Sequence, residues 1–421
     1  MWKHKLRSPV RNQTEYTLSC IDDSIPDDHR ARLVWQYVER LDVSSLLNGA
    51  YSFVGDKGAP TTDPRILLSL WLFAILDGVG SAREISRLCE RDLAYRWICG
   101  GVSVNHHTLS TFRNMAGPFL DTLLSKSIAA LVMAGVVDLS CIAVDSVRVR
   151  AHAGQSSFRR KETLLDLQRL ARERIDQLRA ESATDPQACS RRQQARRDRA
   201  ARERAERVDA ALKAAEEIEE ARAAEDKATK RKTPKKRSEV RASTTDPDAR
   251  RMVMANGGMA PGYSVQIKTD PDSATVVAVE VTNNGSDRGK LIPAVEEIER
   301  RYHRRPDMLL ADVGYDGLAD IEAVEARKVA VYLPLPKKQP SERSKKKYGP
   351  GVRKWRERME TDEAKDIYSK RIKTELAHAH MRNHGLLQMP VRGLEKAKTV
   401  ALWFAVATNL LIHGTTLLRT T

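Results

Sequence analysis

The sequence predicts a mixed α/β core, preceded by an all-helical part and interrupted by a long helical insertion. Three observations predict it. Apolar residues recur at helical spacing up to about residue 135, a β-branched run with period-two alternation begins at Val136, and residues 158–241 have long-helix composition before strand patterning returns. The divisions that follow are a helical domain at 1–135, a first piece of the core at 136–157, a basic helical insertion at 158–241, and the remainder of the core with the C-terminal helices at 242–421.

The 421 residues carry 72 Lys+Arg against 56 Asp+Glu, a formal charge of +16, which favours a polyanionic partner. With 41% hydrophobic residues there is material for a sizeable core, while 30% charged residues exclude an integral membrane protein of many spans. The longest apolar runs, 66–76 and 400–412, fall short of the roughly 18 to 20 residues that cross a bilayer and read as buried helices. The basic amino terminus has no apolar stretch behind it, so no secretory signal and a cytoplasmic location are expected. Cys20, Cys89, Cys99, Cys141 and Cys189 are odd in number, scattered and without a C-x-x-C pair, so they predict packed, reduced thiols.

In the first 135 residues, PRILLSLWLFAIL, SAREISRLCERDLAYRWICGG and HTLSTFRNMAGPFLDTLLSKSIAALVMAG carry the helical period. Asp63-Pro64, Ser81 three residues before Glu84, and Asn105 ahead of Leu109 mark helix starts, whereas Gly100-Gly101 and Gly135 mark exits. Arg83, Arg87, Arg91, Arg96 and Arg113, read as lying on exposed faces, suit DNA docking, but a plain helical bundle accounts for them equally. VVDLSCIAVDSVRVRAHAG then reads as a strand with one buried face that ends near Asp145.

From Phe158 to about Arg241, Arg, Glu, Ala, Lys and Gln dominate, which predicts a helical hairpin broken near Ala183 to Pro186. The run KATKRKTPKKRSEVR suits phosphate contact, although such runs are often solvated linkers. GYSVQIKTD and ATVVAVEVT, with PDS between them, predict a β-hairpin. A helix (LIPAVEEIERRYH), a strand (DMLLADVGYDG), a helix (LADIEAVEARK) and a strand (VAVYLPLP) come next; KKQPSERSKKKYGPGVRKW reads as a basic loop, and helices from about Thr361 to Leu418 close the chain.

Three carboxylates stand out by place: Asp145 ends the first strand, Asp312 ends MLLAD, and Glu375 sits on a helix near the carboxyl end. Gathered at one sheet edge they would repel one another unless cations held them, and hard oxygen ligands suit Mg2+ or Mn2+. Spacing alone does not single them out, because 56 acidic residues allow many trios.

Motifs narrow the choice. Tyr368-Ser-Lys-Arg371-Ile-Lys-Thr-Glu375, with Arg382 seven positions after the glutamate, resembles the Y-x2-R-x3-E-x6-K signature of bacterial insertion-sequence DDE transposases, with Arg in place of the final Lys. LLADVGYDG, IAVDSVRVRA, GYSVQIKTD and VRGLEKAKTVALWFAVATNL are similar to further segments of that family. The stretch from TTDPRILLSLWLFAIL through HHTLSTFR resembles the helical DNA-binding domain upstream of such cores. The resemblance implies an RNase H-like catalytic core in which Asp145, Asp312 and Glu375 bind two Mg2+ ions, with Mn2+ as a substitute, and in which Tyr368, Arg371 and Arg382 touch DNA. Spacings of three, four and seven put Tyr368, Arg371, Glu375 and Arg382 on one helix face. Arg for Lys at 382 keeps the charge but changes its geometry.

Asp316 competes with Asp312 for the second carboxylate, and the apolar run before Asp312 favours the latter. Glu375-Leu-Ala-His378 has the spacing of a di-iron helix, but no second such helix occurs. His106-His107 read as a helix start, and His380 and His384 as surface residues. No G-x-x-x-x-G-K-[ST] loop occurs, so no nucleotide cofactor is expected. The reading is a transposase that binds the terminal inverted repeats of its element, cuts each end by metal-dependent hydrolysis and joins the freed 3′-OH to target DNA, working as a homodimer or larger synaptic complex. A metal-dependent endonuclease of the same fold, or an inactive DNA-binding regulator derived from a transposase, are the alternatives.

Overall fold

The computed structural model describes residues 20–47, 61–184, 191–228, 239–336 and 348–420. Its helical part comprises α1 (Arg30–Glu39), α2 (Pro64–Leu76), α3 (Ala82–Arg91), α4 (Leu93–Cys99), α5 (His106–Met115) and α6 (Gly117–Met133). Polar side chains start these helices where the sequence places them. Asp63 accepts from the Arg65 N–H, Ser81 from Glu84, and Asn105 from His107 and Thr108, satisfying donors that have no partner within the helix. Gly100 ends α4 with φ at 54°, left-handed backbone that glycine adopts without a Cβ clash. Apolar on every face past Arg65 in its first turn, α2 has all its other residues buried and runs through the core rather than along its surface.

Past β1 (Cys141–Arg150), the chain forms a neck of β2 (Phe158–Arg160) and β3 (Arg241–Ser243), from which the hairpin of α7 (Lys161–Thr184) and α8 (Arg191–Ala228) extends. The two helices hold each other through a small cluster of Leu164, Ala211, Leu212 and Ala215, and through Lys161–Glu219 at 2.8 Å and Gln168–Asp209 at 2.6 Å. That cluster is separate from the main core. Most of the basic run, 229–238, lies outside the described residues, as do Cys189 and the lysine-rich 337–347. Cys20, Cys89, Cys99 and Cys141 are free thiols.

The sheet is completed by β4 (Arg250–Val253), β5 (Met259–Asp270), β6 (Thr275–Thr282), β7 (Met308–Ala311) and β8 (Ala330–Tyr332). One edge of β5 pairs antiparallel with β1, the other with β4 and β6 end to end, while β1, β7 and β8 run parallel. With α9 (Leu291–Tyr302) and α10 (Leu318–Ala326) as the connections between β6, β7 and β8, this is an RNase H-like core: a mixed sheet flanked by helices. Its β1–β5 pair is buried on both faces, not on one. Ser264, Gln266 and Lys268 are at most 1% exposed. Lys268 is neutralised by Glu297 of α9 at 2.6 Å, and Glu297 also pairs with buried Arg301 at 2.9 Å. A charge is tolerable there only because it is paired.

After the sheet come α11 (Pro350–Met359), α12 (Asp362–Ser369), α13 (Ile372–Asn383) and α14 (Leu394–Thr420). The segment GPGVRKW, expected as loop, is the start of α11: Pro350 occupies the first turn, where its missing N–H costs nothing. Among the described helices only α14 is long and apolar enough by itself to cross a membrane, but its apolar residues are buried in the core. Asn409 of α14 exchanges hydrogen bonds of 2.9 and 2.8 Å with the Val276 backbone of β6, and Trp403 donates to the Arg113 carbonyl of α5. The last helix thus stitches the helical part and the sheet into one core.

Candidate active site

Side chains alternate across a strand, so Asp145, Val147 and Val149 of β1 share a face with Val265, Ile267 and Thr269 of β5. That face is covered by α13, pinned by Thr269 donating to the Thr374 hydroxyl at 3.0 Å. Asp145 lies in the middle of β1, not at its end. What ends there is the parallel ladder: β7 pairs with β1 only from Cys141 to Val144, and Asp312 follows the last residue of β7. Both aspartates therefore emerge where the parallel pair stops, the place where open α/β sheets present ligands.

One cation joins the acidic positions. The Arg371 guanidinium stands 2.9 Å from Asp145, 3.7 Å from Asp312 and 3.8 Å from Glu375. Side-chain exposure is 13% for Arg371 and 16% for Asp145, but 52% for Asp312 and 66% for Glu375, so the site has a buried floor and an open rim. Burial pushes the Asp145 carboxyl above its ordinary value; Arg371 and the Ser146 N–H oppose the shift, and Asp312 and Asp287 add to it. Asp316 does not join this group. It pairs instead with Arg288 at 2.7 Å.

The signature residues do not share one helix. Tyr368 lies in the last turn of α12, Arg371 precedes α13, and between them Lys370 and Arg371 donate to Ile367 and Tyr368 in a tight i to i+3 turn. This turn stacks residues three apart, so Tyr368 and Arg371 stay on one side although the helix is interrupted. Burial raises the Tyr368 hydroxyl pKa. Arg382 is exposed in the last turn of α13, about 10 Å along the axis from Glu375, and makes no ion pair with the three carboxylates.

His378, which its spacing from Glu375 marks only as a candidate iron ligand, proves to be part of the site. Its Nδ1 is 3.6 Å from Asp145, its Nε2 is buried without a partner, and burial with Arg371 nearby lowers its pKa to about 4, so the ring is neutral. On the opposite face of β1 and β5 lies a second polar layer that sequence reasoning missed. Arg148 pairs with Asp287 at 2.8 Å, Gln266 donates to Asp287 at 2.7 Å, and Tyr315 donates to Gln266 at 2.6 Å. The period-two polar residues of SVQIK were its signal, but the partner at 287 sits in a loop with no pattern.

Among the described residues no three Asp, Glu, His or Cys side chains are drawn together closely enough to hold a metal ion, and at this site Arg371 stands among the three carboxylates. The donor set nevertheless fits a hard divalent cation. Three carboxylates surround one positive charge, and all their oxygens are hard donors.

Residues 228–410 match the family model of the transposase DDE domain, and residues 19–115 match a second model, the transposase domain DUF772. No curated protein and no solved structure matches.

Proposed function

Since the chain belongs to the DDE transposases of insertion sequences, enzymes that act on DNA with divalent metal, we propose that it binds the terminal inverted repeats of its element, hydrolyses a phosphodiester at each end and joins the freed 3′-OH to target DNA. The observation that carries this reading is the meeting of Asp145, Asp312 and Glu375, distant in sequence, around one guanidinium at the edge of the parallel strands. The formal charge of +16 supplies the long-range attraction for DNA.

Asp145, Asp312 and Glu375 would hold Mg2+, with Mn2+ able to substitute; a pair of such ions, when bound, activates the attacking oxygen and stabilises the leaving one. In the cutting step an O–P bond forms from water as the bond to the 3′ oxygen breaks, leaving a 3′-OH and a 5′-phosphate. In the joining step that 3′-OH makes the new O–P bond, and the target's own 3′ oxygen leaves. Arg371, released from the carboxylates, is within a side chain's reach of the same phosphate, where its planar fork suits two non-bridging oxygens. Tyr368 positions the backbone beside it, and Arg382 meets the phosphate chain farther along α13. Neutral, buried His378 packs beside Asp145 and limits the access of water to that side of the carboxylate.

Both ends of an element must be handled together, which calls for a homodimer or larger synaptic complex, working in the cytoplasm where the DNA is. The test is to incubate the protein with a labelled element end and a target plasmid, with Mg2+, Mn2+ or EDTA, beside Asp145→Ala. Joined products that need metal and vanish in the variant are expected. Cleavage without joining would make the protein an endonuclease, and binding without cleavage a regulator.

A further inference from the structure

Away from the carboxylates, an open cleft of about 650 Å³ runs between the helical part and the core. On one side are the first turns of α3 and α5, with Arg83, His106 and His107; on the other are His152, just past β1, and Gln388, just past α13. Among the described residues no Asp or Glu lines it. Both helices begin at this space and bring the positive ends of their dipoles to it, although Ser81 and Asn105 already cap the Glu84, His107 and Thr108 N–H groups. The His106 and His107 rings lie 4.2 Å apart beside Arg83, and His106 has its pKa lowered, first by desolvation and then by His107 and Arg83.

Arg113 is the second, independent observation. It lines the cleft and, contrary to the expected exposed face, is only 8% exposed because it packs over the Trp71 ring, yet among the described residues no carboxylate pairs with it. Its Nε has no hydrogen-bond partner; the rest of the guanidinium has only the Gly80 carbonyl at 3.4 Å and the Trp71 ring, centred 5.0 Å away. By contrast, the buried Lys268 and Arg301 side chains each have a carboxylate within 3 Å. A buried, unpaired guanidinium is costly by itself, and an anion entering from the cleft supplies the missing partner.

We propose that this cleft is a second DNA-contact site, which grips a backbone phosphate between the helical part and the core. The proposal rests on the reading of the chain as a DNA-handling enzyme and adds where the DNA goes. The hydrogen-bonded junction of Arg150 with Leu387 and Met389 shows that β1 and the chain after α13 travel together from the carboxylates toward the cleft. Five extended residues from Asp145 to Arg150, the end of β1, rise about 17 Å. Eight helical residues from Glu375 to Asn383, the end of α13, rise about 12 Å. A duplex engaged at the carboxylates would therefore pass the cleft about four to five base pairs on, at 3.4 Å per pair. The cleft also lies between the two regions matched as transposase domains, so a phosphate there ties one to the other.

The experiment measures binding of a fluorescent element-end duplex to the full chain by anisotropy across a salt series. The proteins compared are wild type, R83A/H107A, Arg113→Met, and Arg327→Ala as a control in which a distant, paired arginine is removed. Expected are affinities lower by about tenfold in the first two variants, a salt slope shallower by about 0.9 for each phosphate that is no longer neutralised, and no change in the control. Arg113→Met should also leave the melting temperature of the free protein unchanged or raised, because it removes an unpaired buried charge. Unchanged affinity and slope in R83A/H107A would overturn the proposal. So would an Arg113→Met protein that melts much lower while binding DNA normally, since Arg113 would then be structural. Asp145→Ala in the cleavage assay separates the two readings: if it is inactive while the cleft variants bind and cut like wild type, only the cleft site fails; if it still cuts, the carboxylate centre fails.

Discussion

Arg371 is the residue on which the site turns. It neutralises Asp145 in a largely buried contact and Asp312 and Glu375 in more exposed ones, so most of its stabilising effect comes from the first. Arg371→Ala should destabilise the metal-free protein by about 1–3 kcal/mol in urea unfolding. Added Mg2+ or Mn2+ should then raise its melting temperature by more than it raises that of wild type. Equal metal responses would mean that Arg371 does not compete for the carboxylates. The three acidic positions are marked in sequence by a β-branched run, by MLLA and by a helix, but with 56 acidic residues it is the resemblance to the transposase motifs that picks them out. The place of His378 is not marked. Its role depends on burial against Asp145, 233 positions away by number (378 − 145), and nothing local signals that contact.

Among the elements, β5 holds the site together, since it carries β1 on one edge and both β4 and β6 on the other. Gly262 is where three of these strands crowd: a Cβ there would lie 2.4 Å from Met254 Cε and 2.7 Å from the Val149 carbonyl. The methionine can move but the carbonyl belongs to the β1–β5 ladder. Gly262→Ala should cost about 1–3 kcal/mol, read as a lower urea midpoint with unchanged slope. A variant as stable as wild type would show that β1 and β5 separate there without penalty. The hairpin of β5 and β6 and the helices α9 and α10 followed directly from alternation and helical period. The break between α12 and α13 did not, because Ser-Lys-Arg-Ile contains no Gly or Pro and the interruption is a change of hydrogen-bond register from four residues to three. The start of α11 was missed for a related reason: Gly349-Pro350-Gly351 reads as a turn unless Pro350 is assigned to the first turn of a helix.

For the molecule as a whole, the decisive feature is that α14, last in the chain, fills the core of the helical part. Trp403 packs near Trp71 and Phe112, and its indole N–H donates to Arg113. Residues 1–135 expressed alone should therefore expose this apolar surface and show no cooperative thermal transition; a sharp transition with native helix content would make the helical part an independent unit. The helical character of these residues was legible from period and caps. Their sharing of a core with residues 394–420 was not, because period says which face is apolar but not what covers it. The insertion is the opposite case, a hairpin with its own small cluster, readable from composition as helix.

If Asp145, Asp312 and Glu375 form one centre for both cutting and joining, as proposed, each reaction needs all three carboxylates. The most direct measurement compares wild type with Asp145→Asn, Asp312→Asn and Glu375→Gln, substitutions that remove charge and keep shape, scoring cleaved and joined DNA with Mn2+ and, separately, DNA affinity. Each single variant should lose both reactions by about a thousandfold or more, as removal of one member of a concerted set does, while affinity stays within about threefold, since each change removes an acidic group that makes no favourable contact with phosphate. Any one of the three that still cut and joined DNA at the wild-type rate would place the shared catalytic centre elsewhere.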